Sequence, residues 1–246
     1  MIQDGVKSVD AELRSFLMIG QSNMAGRGEF GEVPAIDDPL CYMLRMGRWQ
    51  KMREPINPDR GIFEGDFHSG LSLGASFAEL AARHYDQRVG MIPCADGGTK
   101  MVQWMPGETL YDHALLMARL AMRTSRLCGI LWHQGESDCR SDEDVALHKE
   151  RFETMIEQLR HDLGMPELPV VIGELSHHIG ERWKTEVRHL VMNAQYHEIA
   201  ESLPNCTVVS AAGLTMKKDE IHFDSASLRE FGKRYFEGYL KLTEKK

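Results

Sequence analysis

A serine near the start of the chain and an aspartate–histidine pair near its end bring together a nucleophile, an acid and a base, in the order Ser…Asp…His. Ser22 stands in Gly20-Gln21-Ser22-Asn23-Met24-Ala25-Gly26, directly after an apolar run, and Asp219 precedes His222 by three residues in Asp219-Glu220-Ile221-His222-Phe223-Asp224. A serine hydroxyl is a weak nucleophile until an imidazole takes its proton, and the imidazole needs a carboxylate to fix its tautomer. The set therefore points to ester cleavage at a serine. Each residue alone has a plainer reading: a serine after a strand is often a helix N-cap, and His222 is one of 11 histidines. Asp219 narrows the choice, because a carboxylate three residues upstream in a turn reaches Nδ1 and leaves Nε2 facing the serine. Asp224 is better placed to cap the C-terminal helix than to serve as the acid. The serine motif is not the G-x-S-x-G elbow, since Met24 occupies the place of its second glycine.

Two further polar clusters have chemical content. Asp96-Gly97-Gly98-Thr99 is read either as a plain turn or as a backbone N–H aimed at a developing oxyanion, where a missing Cβ lets substrate approach. It is not a phosphate loop, because neither Gly-rich phosphate pattern is present. Trp132-His133-Gln134-Gly135-Glu136-Ser137-Asp138 carries an amide, Gln134, suited to an oxyanion. Glu136 in the same cluster is expected to fix loops or the surroundings of His222, with a direct catalytic role as the alternative. No H-E-x-x-H or comparable ligand spacing accompanies His133, Glu136 and Asp138, so no metal is expected. His177-His178 reads as a structural or rim feature.

These clusters need elements to position them. Apolar strand-like runs occur at Phe16–Ile19, Val89–Pro93, Gly129–Trp132, Val170–Gly173 and Thr207–Ser210. Helical spacing appears between them in Leu73, Phe77, Leu80 and Ala81, in Leu110, Ala114, Met117 and Ala121, and in Val145, His148, Phe152, Met155, Leu159 and Leu163. It returns at the end of the chain in Leu228, Phe231, Tyr235, Tyr239 and Leu242. Alternating strands and helices predict right-handed crossovers and a parallel sheet covered on both faces. Five strands and about five helices fill residues 1–246 as one domain, with no linker, repeat or low-complexity tract. Residues 27–69, rich in Gly, Pro and Asp, read as long irregular loops with a short hairpin, and a loop of that length is often functional. Ligands of open α/β sheets bind beyond the C-terminal strand ends, which is where all four polar clusters fall.

Bulk properties exclude other classes. A net charge of -8 argues against nucleic-acid binding. Phe16–Ile19 is far too short to span a bilayer, so no membrane partner is expected. The first fourteen residues are polar and mixed in charge, unlike a signal peptide. Cys41, Cys94, Cys128, Cys139 and Cys206 form no C-x-x-C pair and are odd in number, which fits free thiols in a reducing cytoplasm.

Taken together, Gly-Gln-Ser-Asn-Met-Ala-Gly at 20–26, Gly-Gly-Thr with Trp104 following, Trp-His-Gln-Gly-Glu-Ser-Asp at 132–138 and Asp-x-x-His-Phe at 219–223 resemble the sialate O-acetylesterase and acetylxylan esterase group. That group is carbohydrate esterase family 6, within the SGNH/GDSL hydrolase superfamily, and the likeness runs from about Phe16 to Tyr239. It implies a flavodoxin-like three-layer α/β/α fold with a parallel five-stranded sheet, and removal of O-acetyl groups from carbohydrates. It implies Ser22 as nucleophile, His222 as base and Asp219 as its partner. An oxyanion hole would come from the Ser22 N–H, a glycine of the Gly97-Gly98 pair (Gly98 favoured) and Gln134, which stands where the wider superfamily has an Asn. Gln21, Asn23, Gly97 and Glu136 would support these groups. An acetylated carbohydrate is the expected substrate, with no metal or organic cofactor. The alternatives are a catalytically silent carbohydrate-binding protein and a GDSL-type lipase or thioesterase.

Overall fold

The computed structural model describes residues 13–58, 68–180 and 183–244. Most of the polar N-terminal segment and residues 59–67 of the 27–69 stretch therefore lie outside the described residues. β1 (Leu13–Gly20) occupies the middle of a sheet, with β2 (Cys41–Arg45), β3 (Arg48–Lys51) and β4 (Arg88–Pro93) on one side of it. β5 (Arg126–His133), β6 (Val170–Gly173) and β7 (Cys206–Val209) extend the other side, giving the order β3-β2-β4-β1-β5-β6-β7. All pairings are parallel except the β2–β3 hairpin.

The sheet thus has seven strands, not the five expected, and the two additions are that hairpin. It lies inside the Gly/Pro/Asp-rich stretch, where Cys41 and Met43 are buried but the outermost strand carries Arg48, Gln50 and Lys51. A four-residue edge strand with charged side chains keeps its unpaired backbone from recruiting other chains. For the same reason it has no apolar run to betray it.

The five strands that the apolar runs predict are all present, because a parallel sheet buried on both faces demands near-continuous hydrophobic sequence. Alternation along β1 divides the core. Phe16 and Met18 face α2 (Leu73–Tyr85) and α6 (Ser225–Thr243). Leu17 and Ile19 face the layer of α3 (Thr109–Met122), α4 (Asp142–Leu163) and α5 (Arg188–Ser202). The three-layer expectation holds. α5 has no clean apolar stripe: its first turns expose Leu190 and Val191 and bury His189 and Asn193, so its pattern escaped the periodicity reading. α4 starts where the Ser141 hydroxyl accepts the Asp144 N–H, with three carboxylates in its first turn facing the positive helix end. α6 starts at Asp224, whose carboxylate accepts the Ser227 N–H at 2.8 Å, as expected of a cap. None of the helices among the described residues is long and apolar enough to cross a membrane.

From β1 the chain builds outward to one side, then crosses back past β1 to build the other. The C-terminal end of β1 is therefore where loops part to opposite directions and leave a crevice. Ser22 sits there.

Candidate active site

β1 ends in a turn that only glycine permits. Gly20 has φ +129°, and a Cβ on it would lie 2.1 Å from the His133 carbonyl oxygen. That close approach lets Gln21 donate its N–H to the same carbonyl at 2.8 Å, tying the end of β1 to the end of β5. A single helical turn, α1 (Ser22–Ala25), follows and is closed by the Gly26 N–H on the Ser22 carbonyl at 2.9 Å. Ser22 is thus the first residue of a buried turn, 6% exposed.

His222 comes to Ser22 from the opposite end of the chain, on a compact loop. The Lys217 N–H donates to the His222 carbonyl at 2.7 Å, and the Glu220 N–H to the Lys217 carbonyl at 2.9 Å. Ser22 Oγ and His222 Nε2 are 2.8 Å apart, and His222 Nδ1 lies 2.7 Å from Asp219 Oδ2. The other carboxylate oxygen, Oδ1, accepts the N–H groups of Ile221 at 3.0 Å and His222 at 2.9 Å. An ionised carboxylate only accepts, so Nδ1 carries the proton and Nε2 presents its lone pair to the serine hydroxyl. Burial works against the charge on Asp219, but the two backbone N–H groups and the imidazole more than offset it and hold its pKa below the usual value. For His222, burial is the largest influence and disfavours the cation. It outweighs the raising effect of Asp219, and the Arg27 charge adds to it, so the pKa of His222 is lowered. The ring is consequently a neutral base at neutral pH.

Gly97 and Gly98 follow β4. The Arg27 guanidinium lies over Gly97, where a Cβ would come within 2.7 Å of Nη2 and 3.5 Å of Ser22 Cβ. Gly98 has φ +74° with open space on its Cβ side. Neither the Ser22 N–H nor the Gly98 N–H has a hydrogen-bond partner among the described residues.

Gln134 is fully buried, and its Nε2 donates to the Thr99 carbonyl at 2.9 Å and to the Asp138 carboxylate. Both amide hydrogens are engaged, so in this arrangement the side chain ties the Gly97–Thr99 turn to β5. Its Oε1 is buried without a partner among the described residues. Asp138 also accepts the Met101 N–H, and burial lifts its pKa to about 6. Trp104 completes the support by donating its indole N–H to Thr99 Oγ1 at 3.1 Å.

The supporting residues divide between the motifs. Gln21 Oε1 accepts the N–H groups of Gly135 and Ser137, each at 3.4 Å. Asn23 Nδ2 donates to Glu136 Oε1 at 2.6 Å and to the Ile221 carbonyl at 3.1 Å, while its Oδ1 accepts the Phe223 N–H at 3.1 Å. His177 is not brought to the serine. It donates to Glu174, just past β6, which also accepts from His197 on α5 and Ser210 just past β7, an arrangement that drops the Glu174 pKa to about 2 despite burial.

Beside the Asp219–His222 pair lies a cavity of about 400 Å³ lined by Arg27, Phe30, His68 and Lys217 among others. That volume is in the range of small-molecule sites. Lys217 is held by Glu29 and by the Arg27 carbonyl, and Phe30 is 59% exposed at the rim. Arg27, Phe30 and His68 fall in the 27–69 stretch expected to be functional, but no spacing within it or to Lys217 singles them out.

Residues 12–241 match the model of a family described as carbohydrate esterase, sialic acid-specific acetylesterase. The Arabidopsis thaliana protein named Probable carbohydrate esterase is 30% identical over 250 aligned positions, covering 92% of this chain and 89% of that protein. Its crystal structure superposes with a TM-score of 0.81 at 24% identity over 93% of this chain and 98% of its own. NanS superposes with a TM-score of 0.77 at 17% identity, covering 97% of this chain and 100% of NanS. A carbohydrate acetylesterase from Xanthomonas citri gives a TM-score of 0.61 at 17% identity, over 94% of this chain and 56% of that one.

Proposed function

The chain belongs to the sialic acid-specific acetylesterase family of carbohydrate esterases, and from that premise we propose that it removes O-acetyl groups from carbohydrates through an acetyl-enzyme on Ser22. The observation that carries the mechanism is the continuous hydrogen-bond line from Ser22 Oγ through His222 to Asp219, at 2.8 and 2.7 Å.

His222 takes the hydroxyl proton as Ser22 Oγ attacks the acetyl carbonyl. Asp219, held as a carboxylate, stabilises the imidazolium that forms. The N–H groups of Ser22 and Gly98 supply two donors for the tetrahedral oxyanion, and Gln134 is a third once one of its present bonds is exchanged. His222 then protonates the departing sugar oxygen, and water repeats the sequence to release acetate. The cavity beside the triad takes the sugar. Its polar lining of Arg27, His68 and Lys217 suits hydroxyl or acidic groups better than an acyl chain, and the Phe30 ring offers an apolar plate for one face of a pyranose.

Acetate release from a panel of acetylated sugars tests this reading. Wild-type protein is expected to release acetate, and Ser22→Ala to lose on the order of a million-fold in turnover while its melting temperature holds. A Ser22→Ala variant that keeps more than a few per cent of the activity refutes the assignment.

A further inference from the structure

The side chain next to the nucleophile is joined to the backbone on both sides of the base. Asn23 accepts the N–H of Phe223 and donates to the carbonyl of Ile221, so a single amide brackets His222. Asn23 and Ser22 are neighbours on the same one-turn helix. The bracket therefore sets the separation of Oγ and Nε2 through rigid backbone, and not through the imidazole ring alone.

Asn23 is in turn held from behind. Glu136 Oε1 accepts its second amide hydrogen at 2.6 Å and also meets His133 Nε2 at 3.2 Å. His133 Nδ1 lies 3.3 Å from the Tyr235 hydroxyl, which donates to the Trp132 carbonyl at 2.7 Å. His133, Glu136 and Asn23 are at most 2% exposed. A buried carboxylate is costly unless paired and hydrogen-bonded. Glu136 has one oxygen so matched, while Oε2 has no partner among the described residues. A neutral glutamine would hold the Asn23 amide more weakly than the carboxylate does. We propose that Asn23, anchored by the Glu136 carboxylate, is the positioning residue that holds His222 within reach of Ser22, and that the Glu136 charge also supports the imidazolium. The proposal rests on the serine-esterase reading above.

Charge as well as geometry enters here. Burial raises the pKa of Glu136, but the neighbouring His133 and the bonds from His133 and Asn23 more than offset this, so it stays ionised. Its field favours protonated His222 alongside Asp219 and against Arg27. The other titratable groups near this pair are Tyr235 on α6, Tyr196 on α5, and Asp138 and Cys139 in the turn after β5.

The test compares Asn23→Ala, Glu136→Gln, their double variant and Ser22→Ala on an aryl acetate, which bypasses sugar binding. Asn23→Ala is expected to lose about a hundredfold in kcat, the cost of a 1 Å misplacement, with KM little changed. Glu136→Gln, isosteric but neutral, is expected to shift the acidic limb of kcat/KM to lower pH, which a merely structural role would not do. The double variant is expected to lose less in kcat than the product of the single losses, because Glu136 acts in part through Asn23, and to keep the lowered limb, because its charge acts without Asn23. A near-wild-type kcat for Asn23→Ala, or a double loss equal to the product of the single losses, overturns the proposal. Should Asn23→Ala lose its near-UV circular dichroism, Glu136→Gln decides alone, and an unmoved limb with unchanged kcat overturns it. An active Ser22→Ala would instead bring down the serine reading itself, so the two failures are told apart.

Discussion

At the scale of single residues the proposed chemistry depends on protons. The imidazole must be neutral to accept from Ser22, and burial keeps the His222 pKa below its usual value. Activity falls as pH drops through that folded pKa, so the acidic limb of kcat/KM is expected below about 6.5. Removing the Arg27 charge takes away a repulsion of the imidazolium, so Arg27→Gln should move the limb upward, opposite to Glu136→Gln. A pH–rate series on the two variants checks both signs, and shifts in the same direction contradict the electrostatic reading. Asp219→Asn should cost about ten-thousandfold in kcat, the penalty of a triad left with the wrong tautomer. The neighbouring Glu220→Gln and Asp224→Asn should cost far less, because Asp224 caps α6 and neither side chain bonds to the His222 ring. The Asp219–His222 contact was legible in sequence because the two are three residues apart and share a turn. The partners of Asn23 were not legible: they are the backbone groups of Ile221 and Phe223, about two hundred positions away and chosen by packing alone.

At the scale of elements, the strand-end turns carry the geometry. Gly20→Ala would combine a disfavoured positive φ with a Cβ 2.1 Å from the His133 carbonyl oxygen. A loss of more than about 3 kcal/mol in unfolding free energy is expected, read by denaturant titration. A nearly neutral result would mean that β1 and β5 part more easily than their shared register allows. The same contrast explains what the sequence displays. Phe16, Leu17, Met18 and Ile19 are each 0% exposed, so β1 had to be an unbroken apolar run and could be read directly. The β2–β3 hairpin caps a sheet edge, and its Arg48, Gln50 and Lys51 serve solvent and not the core. Its membership of the sheet is decided by pairing with β4, which no local pattern encodes.

At the scale of the whole molecule, the segment after β1, residues 68–70 before α2 and the loop after β7 gather around a cavity, with Asp219 and His222 on one wall and Phe30 at the rim. Phe30→Ala should raise KM for an acetylated pyranoside by roughly three- to tenfold, the worth of one aromatic contact, and leave aryl acetate hydrolysis unchanged. Equal effects on both substrates would place Phe30 in the support of the triad and not in sugar binding. The five cysteines are free, and burial pushes the thiols of Cys41, Cys94, Cys139 and Cys206 up, away from the reactive thiolate. Reaction of the protein with a fluorophosphonate, followed by peptide mass spectrometry, identifies the nucleophile itself. A single adduct is expected, on the peptide carrying Ser22, formed at a rate that falls with protonation of His222 and absent in Ser22→Ala. An adduct on any other residue, or full acetylesterase activity in protein whose Ser22 is modified, would contradict it.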